Sequence, residues 1–349
     1  MTFVRPAKIQ LQMCLAVRLH SVRTMVRCSP TVPCVSANET AVIATFGAVL
    51  FAQQPKEVGL IVKAGHDFPT ALEETFHQWK VDLHILRQQE RPSARGRVLY
   101  GQDASQRTYQ RVTQPMPSTP EDLDSTNLIL AWCFHFFDTP SALSDQIKKI
   151  TDLRFRQGIQ ECPVYVWEPQ AKSCSPETFE SHKAMVREVD IFSPNHAELA
   201  LFFPRPDGDT PLFDKRTVEQ QARAFVPEPP SEGLSRPLCI LIRCAEHGCF
   251  VLSSSPNAQQ SAWLPPYHGS ESSGVIDPTG AGNAFLGGAA MGYLEHRDFI
   301  KAAAYGSVAA SFAVEVVGLP DIRRCDSRAR LEEYVGRLEL PVTGLISRS

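Results

Sequence analysis

Residues 277–290 read Asp-Pro-Thr-Gly-Ala-Gly-Asn-Ala-Phe-Leu-Gly-Gly-Ala-Ala, a polar glycine-rich turn that runs straight into an apolar segment of helical character. Gly280, Ala281 and Gly282 put no bulky side chain in the turn, so successive backbone N–H groups can converge on an anion. The positive end of the following helix adds to that attraction. Asp277 either holds a divalent cation or orders the turn. Asn283, at the mouth of the helix, faces whatever occupies the anion hole. A site that stabilises negative charge suggests phosphoryl transfer.

From about residue 41 the chain alternates strand-like and helix-like segments. An apolar run at 58–63 precedes Gly65, and 70–80 has helical spacing with Leu72, Phe76 and Trp79 on one side. Residues 81–86 are strand-like. Polar and apolar residues alternate over 97–109 around Gly-Gln-Asp at 101–103, which predicts a hairpin. A Pro/Ser/Thr-rich loop at 114–125 leads into a buried strand-length run at 128–137. Leu143, Ile147, Ile150 and Leu153 share one face of a helix over 141–157. Strands are expected at 164–167, 190–193, 238–243 and 249–253. Helices are expected at 176–189, from Asn195 to 203, and at 217–225, 299–316 and 328–338. This order predicts an α/β fold with a largely parallel sheet covered on both faces.

A net charge of −3 gives no reason to expect nucleic acid or an anionic membrane as partner. No apolar run approaches the ~20 residues that span a bilayer. Cys239, Cys244 and Cys249 are spaced by fives, not as CxxC pairs, and read as buried thiols in a reducing compartment. Before the first acid, Glu39, come Arg5, Lys8, Arg18, Arg23 and Arg27. Residues 1–38 are read as a divergent segment, either a disordered tail or a mis-assigned start, and 39–345 as the folded domain. The protein is expected in the cytoplasm, with a mitochondrial targeting segment as the alternative reading of the acid-poor start.

Asn195-His196-Ala197-Glu198 follows a strand end, where ligands gather in open α/β sheets. Asn195 and Glu198 are read in two ways: as a helix cap with a first-turn acid, or as part of the site. Gly248 closes the turn between two strands. A GxxxxGK[ST] loop is absent, which argues against a P-loop enzyme.

The 277–290 stretch resembles the C-terminal signature of the PfkB (ribokinase-like) carbohydrate kinase family, Asp-Thr-x-Gly-Ala-Gly-Asp followed by a small-residue helix. Asn195-x-x-Glu198 is similar to the family's Asn-x-x-Glu element, which helps place magnesium and phosphates. Residues 241–248 resemble its Thr-x-Gly-x-x-Gly turn in Gly248 alone, with Arg243 and Ala245 in place of the threonine and first glycine. Gly65-His66-Asp67 resembles a turn after the second core strand, and Glu168-Pro169 resembles an Asp-Pro that ends a mid-sheet strand. The wording of 277–283 and of Phe192-Ser-Pro-Asn-His is similar to a fungal branch of the family.

The resemblance implies a ribokinase-like three-layer α/β/α sandwich and ATP with Mg2+ as cofactors. It implies phosphotransfer to a hydroxyl of a sugar or nucleoside-like small molecule, in a chain that a homodimer would suit. Gly280, Ala281 and Gly282 would bind the developing charge. Asp277, Thr279, Gly248 and Asn195 would lie at the nucleotide, Asn195 and Glu198 would organise the metal, and the helix at 299–316 would flank the adenine. Two departures stand out. The family's second aspartate is its catalytic base, and here that position is Asn283. An amide does not accept a proton at neutral pH, so a nucleotide-binding pseudokinase is the alternative function. The second departure is the N-terminus. Residues 36–51 lack the family's sugar-binding glycine pair, and the residues before them are expected to supply neither the first strand nor a lid, leaving the lid reduced or missing.

Overall fold

The computed structural model describes residues 9–11, 39–100, 107–124, 126–203, 213–226, 236–255, 258–269 and 272–338. Eleven strands lie in this order: β1 (Ile9–Leu11), β2 (Val58–Gly65), β3 (Asp82–Gln88), β4 (Gly96–Tyr100), β5 (Arg107–Arg111), β6 (Cys133–Asp138), β7 (Val164–Pro169), β8 (Ile191–Phe192), β9 (Leu238–Arg243), β10 (Cys249–Ser255) and β11 (Ala258–Leu264). The α-helices are α1 (Glu39–Val49), α2 (Thr70–Gln78), α3 (Pro140–Arg156), α4 (Phe179–Val186), α5 (His196–Ala200), α6 (Lys215–Arg223), α7 (Ala281–His296), α8 (Phe299–Val314) and α9 (Ser327–Gly336).

Nine strands form one sheet in the order β11-β10-β9-β8-β7-β6-β1-β2-β3. It is parallel from β3 through β9, and the antiparallel pairings, β9 with β10 and β10 with β11, are confined to one edge. β7 is buried along its whole length and β9 along all but its last residue, as expected of parallel strands covered on both faces. The sandwich of helices and sheet expected from the sequence is observed. The hairpin is β4–β5, a two-stranded sheet of its own, and its predicted turn at 101–103 lies outside the described residues.

Helices α1, α7 and α8 pack against one another, and their contact is backbone on backbone. A Cβ on Gly47 would strike the carbonyl of Ala284, and one on Gly287 the carbonyl of Ala44. Tyr305 of α8 lies over Phe51 with ring centroids 4.5 Å apart. Elsewhere Trp167, Phe192 and Phe225 form a fully buried aromatic cluster, each ring contributing roughly 2–3 kcal/mol by leaving water.

Three expectations are corrected. The N-terminal residues do supply a strand: β1 sits inside the sheet, third from one edge, parallel to both β2 and β6. Three residues are too few for alternation to register as a pattern. The run at 128–137 is a 3-10 turn at Asn127–Leu130 followed by β6, with the chain bending at Trp132 between them. β11 was not expected, since Ala-Gln-Gln-Ser-Ala-Trp-Leu is too polar to stand out, as suits an edge strand. Cys239, Cys244 and Cys249 are free and buried, and burial pushes each thiol pKa up. No described helix is long and apolar enough to cross a membrane.

Candidate functional site

The glycine turn lies between the end of α8 and the start of α7. The amides of Ile276 and Asp277 both donate to Val314 O, at 2.7 and 3.0 Å, which ties the loop to α8. Asp277 is buried, and its Oδ1 accepts from the Thr279 amide at 3.0 Å. Of the two readings of Asp277, the ordering of the turn is therefore observed. Gly280 is the N-cap of α7 at φ +85°, a left-handed conformation that favours glycine. The Ala281 amide donates back to Pro278 O, and the Asn283 amide to Gly280 O at 2.9 Å. The amides of Gly280 and Gly282 have no backbone acceptor among the described residues. Two of the three expected anion-hole donors are thus open, while that of Ala281 is spent.

Beneath the turn lies a buried polar cluster at the C-terminal ends of the parallel strands. The Asn283 Nδ2 donates to Glu168 Oε2 at 2.9 Å. Glu168, from β7, is 5 % exposed, and its Oε1 lies 2.9 Å from Arg243 Nη2. Arg243 ends β9, where it pairs in register with Asn195. Its Nη2 also donates to Ser193 O at 2.8 Å and lies 3.6 Å from Glu198 Oε2. A Cβ on Gly282 would strike Arg243 Nη1, so the bare glycine is what admits the guanidinium under the helix mouth. His135 Nε2 is 3.8 Å from Glu168 Oε2, and neither of its ring nitrogens is hydrogen-bonded.

Burial dominates the protonation of this cluster. It pulls the pKa of His135 down to about 3, leaving a neutral imidazole. It pushes Glu168 up against the opposing pull of Arg243. Glu198 is raised to about 7, first by burial, with Arg243 opposing and Glu168 adding to the rise.

Asn195 and Glu198 form a reciprocal capping box at the start of α5. The Glu198 amide donates to Asn195 Oδ1 and the Asn195 amide to Glu198 Oε2, both at 2.8 Å. The cap reading is thus observed, and the same Glu198 carboxylate reaches the cluster through Arg243. These residues do not fit a protein-held magnesium site. One Glu198 oxygen is committed to the cap, a guanidinium stands beside it, and no group of three metal-type ligands occurs among the described residues. Gly248, at φ +85°, is required by its own turn, because a side chain there would strike Leu264 O.

Arg243, Glu168 and His135 were not singled out as site residues from sequence. The available signal was a charge at the C-terminal end of each of two buried apolar runs: Arg243 after Leu238–Ile242, and Glu168 after Val164–Trp167. Ile276, 61 % exposed, and the exposed Val275 precede the turn, and the exposed Val316 and Val317 follow Val314, to which the turn is bonded.

The chain is similar to known proteins at the level of family and of fold. The pfkB family carbohydrate kinase profile matches residues 35–322. An uncharacterized protein of Schizosaccharomyces pombe is 29 % identical over 296 residues, covering 79 % of this chain and 77 % of that one. Ribokinase from Giardia lamblia superposes with a TM-score of 0.63 at 14 % identity, over 95 % of this chain and 99 % of that one. A putative ribokinase II from E. coli, solved in complex with ATP and Mg2+, gives 0.61 at 16 % identity, over 95 % and 100 %. The structural likenesses establish the ribokinase-like fold. The profile spans most of the chain and takes in the glycine turn, so the protein belongs to the pfkB family of carbohydrate kinases.

Proposed function

We propose that this protein holds the phosphates of a nucleotide on the 280–283 turn of a sugar- or nucleoside-kinase scaffold, with its phosphoryl-transfer step strongly attenuated. The hydrogen bond from Asn283 to Glu168 carries this reading. At the position of the family's base stands an amide that spends its N–H on a buried carboxylate. That carboxylate is itself paired with Arg243, which holds it as an ion-pair partner and not as a free base. Loss of a general base costs ~10²–10⁴ in rate, or about 3–5.5 kcal/mol of barrier. Some transfer survives such a loss, because positioning and anion stabilisation carry much of a loose transition state. ATP is the nucleotide to test first, since the E. coli relative was solved with it. The exposed apolar surface around Ile276 would suit a nucleobase.

A second reading is a working phosphotransferase, in which Asn283 orients the acceptor hydroxyl of a small sugar or nucleoside-like molecule. Membership of the carbohydrate kinase family favours it. Thermal unfolding with ATP, alone and with MgCl2, tests binding. A ligand at a hundred times its Kd stabilises the folded state by about 2.7 kcal/mol. ATP turnover across a panel of sugars and nucleosides then separates the readings. The attenuated reading expects stabilisation with turnover near background for every acceptor. Rapid turnover on one acceptor establishes the second reading, and no stabilisation at all contradicts both.

A further inference from the structure

We infer that the Arg243 guanidinium takes the charge-neutralising place of a divalent cation, so that a polyphosphate binds this turn without magnesium. The inference deepens the reading above and rests on it only for the nucleotide part of the ligand. The guanidinium lies directly beneath the helix mouth, in space that a side chain on Gly282 would fill. Its side chain is only 10 % exposed, yet its Nε has no hydrogen-bond partner. Nη2 is committed to Glu168, Ser193 and the neighbourhood of Glu198. Nη1, on the side of Gly282, makes no hydrogen bond to a described residue. The fork is therefore anchored on its sheet side, with unspent donors on the side of Gly282, where the Gly280 and Gly282 amides also lack a backbone acceptor.

The guanidinium already stands 3.6 Å from the Glu198 carboxylate, in the neighbourhood that a cation recruited by Glu198 would enter. Guanidinium supplies the same neutralisation with directed donors, and matches phosphate oxygens in geometry as well as charge. Both carboxylates lie against Nη2, on the sheet side of the fork, and Nη1 keeps the donors left for a phosphate.

Calorimetric titration of the full chain tests the inference, with ATP and with inorganic tripolyphosphate, each in EDTA and each in MgCl2. The expected result is binding of both in EDTA, with Kd values within about threefold of those in MgCl2. The double variant Arg243→Met with Glu168→Gln avoids a stranded carboxylate, and it should bind at least ~10-fold more weakly in EDTA. Arg243→Lys keeps the charge and serves as a second, better-folding variant, with a smaller loss expected. Circular dichroism confirms that each variant is folded. Binding of tripolyphosphate but not ATP in EDTA sinks the nucleotide reading and leaves the inference standing. Absence of tripolyphosphate binding in EDTA overturns the inference, and ATP binding in MgCl2 then judges the nucleotide reading alone. Unchanged affinity of the folded Arg243→Met/Glu168→Gln variant also overturns it.

Discussion

Asn283, half-buried at the helix mouth, sits 2.9 Å from the buried Glu168, and an aspartate cannot take its place freely. Asn283→Asp restores the family's wording but sets two carboxylates face to face. One of them must then hold a proton. The variant should be about 2–4 kcal/mol less stable than the native chain at pH 8. The deficit should shrink at pH 5, where the shared proton is easily supplied. Glu168→Gln in the same chain should recover most of it, since glutamine can donate where glutamate cannot. Urea unfolding of the three proteins measures this, and equal stabilities would contradict the pairing. Glu198 gives a second pH signature. Its pKa rises from 4.5 to about 7 on folding, so between those values the native state binds more protons than the unfolded one. Its contribution is full below pH 4.5 and is lost as pH climbs through about 7. Glu198→Gln keeps an acceptor for the capping box and removes the titration. Relative to the native chain, the variant should gain stability from pH 4.5 to 7 and level off above; a flat difference would speak against the buried carboxylate. Asn195 and Glu198 were legible in the sequence as a pair three residues apart. Arg243 was not, because its partners Glu168 and Ser193 come from other strands and no local pattern links them.

The glycine turn depends on where α7 begins, and α7 is placed by its contact with α1. Gly287 and Gly47 let the two backbones meet, so Gly287→Ala should force them apart. Overpacking of this kind costs about 3 kcal/mol, and here it should also reduce stabilisation by ATP, because α7 carries the turn. Thermal unfolding with and without ATP reads both effects; a loss of stability with full ATP response would uncouple the packing from the site. The small-residue run after the turn was legible as a helix, since glycine and alanine at these positions suit close packing. Its partner was not, because α1 reads only as an apolar stretch at 41–51. Strands buried on both faces announced themselves as apolar runs, and β9 and β10 fall close to their expected bounds. β11 escaped because a half-exposed edge strand of Gln, Ser and Ala carries no such run.

At the scale of the whole molecule, the sheet is continuous only because β1 fills the space between β6 and β2. Removing residues 1–12 should open the sheet between β6 and β2. Each lost ladder bond is worth about 1 kcal/mol, so the deficit should exceed ~3 kcal/mol. Chemical unfolding of a chain beginning at Met13 measures it, and an undiminished midpoint would place the strand's role elsewhere. The sandwich itself was legible from the alternation of segments, and the C-terminal half from its motif. The N-terminal strand was not, because three residues gain their meaning only from the neighbours they pair with. The site assembles at the C-terminal ends of the parallel strands, from β7, β9 and the mouth of α7, residues far apart in the chain. The claim on which the account turns is that the Gly280 and Gly282 amides, with Arg243 behind them, receive a phosphate. A crystal structure with a non-hydrolysable ATP analogue tests it most directly. The account predicts phosphate oxygens within hydrogen-bonding distance of both amides and of Arg243 Nη1; an analogue bound elsewhere, or a turn left empty at saturating concentration, would contradict it.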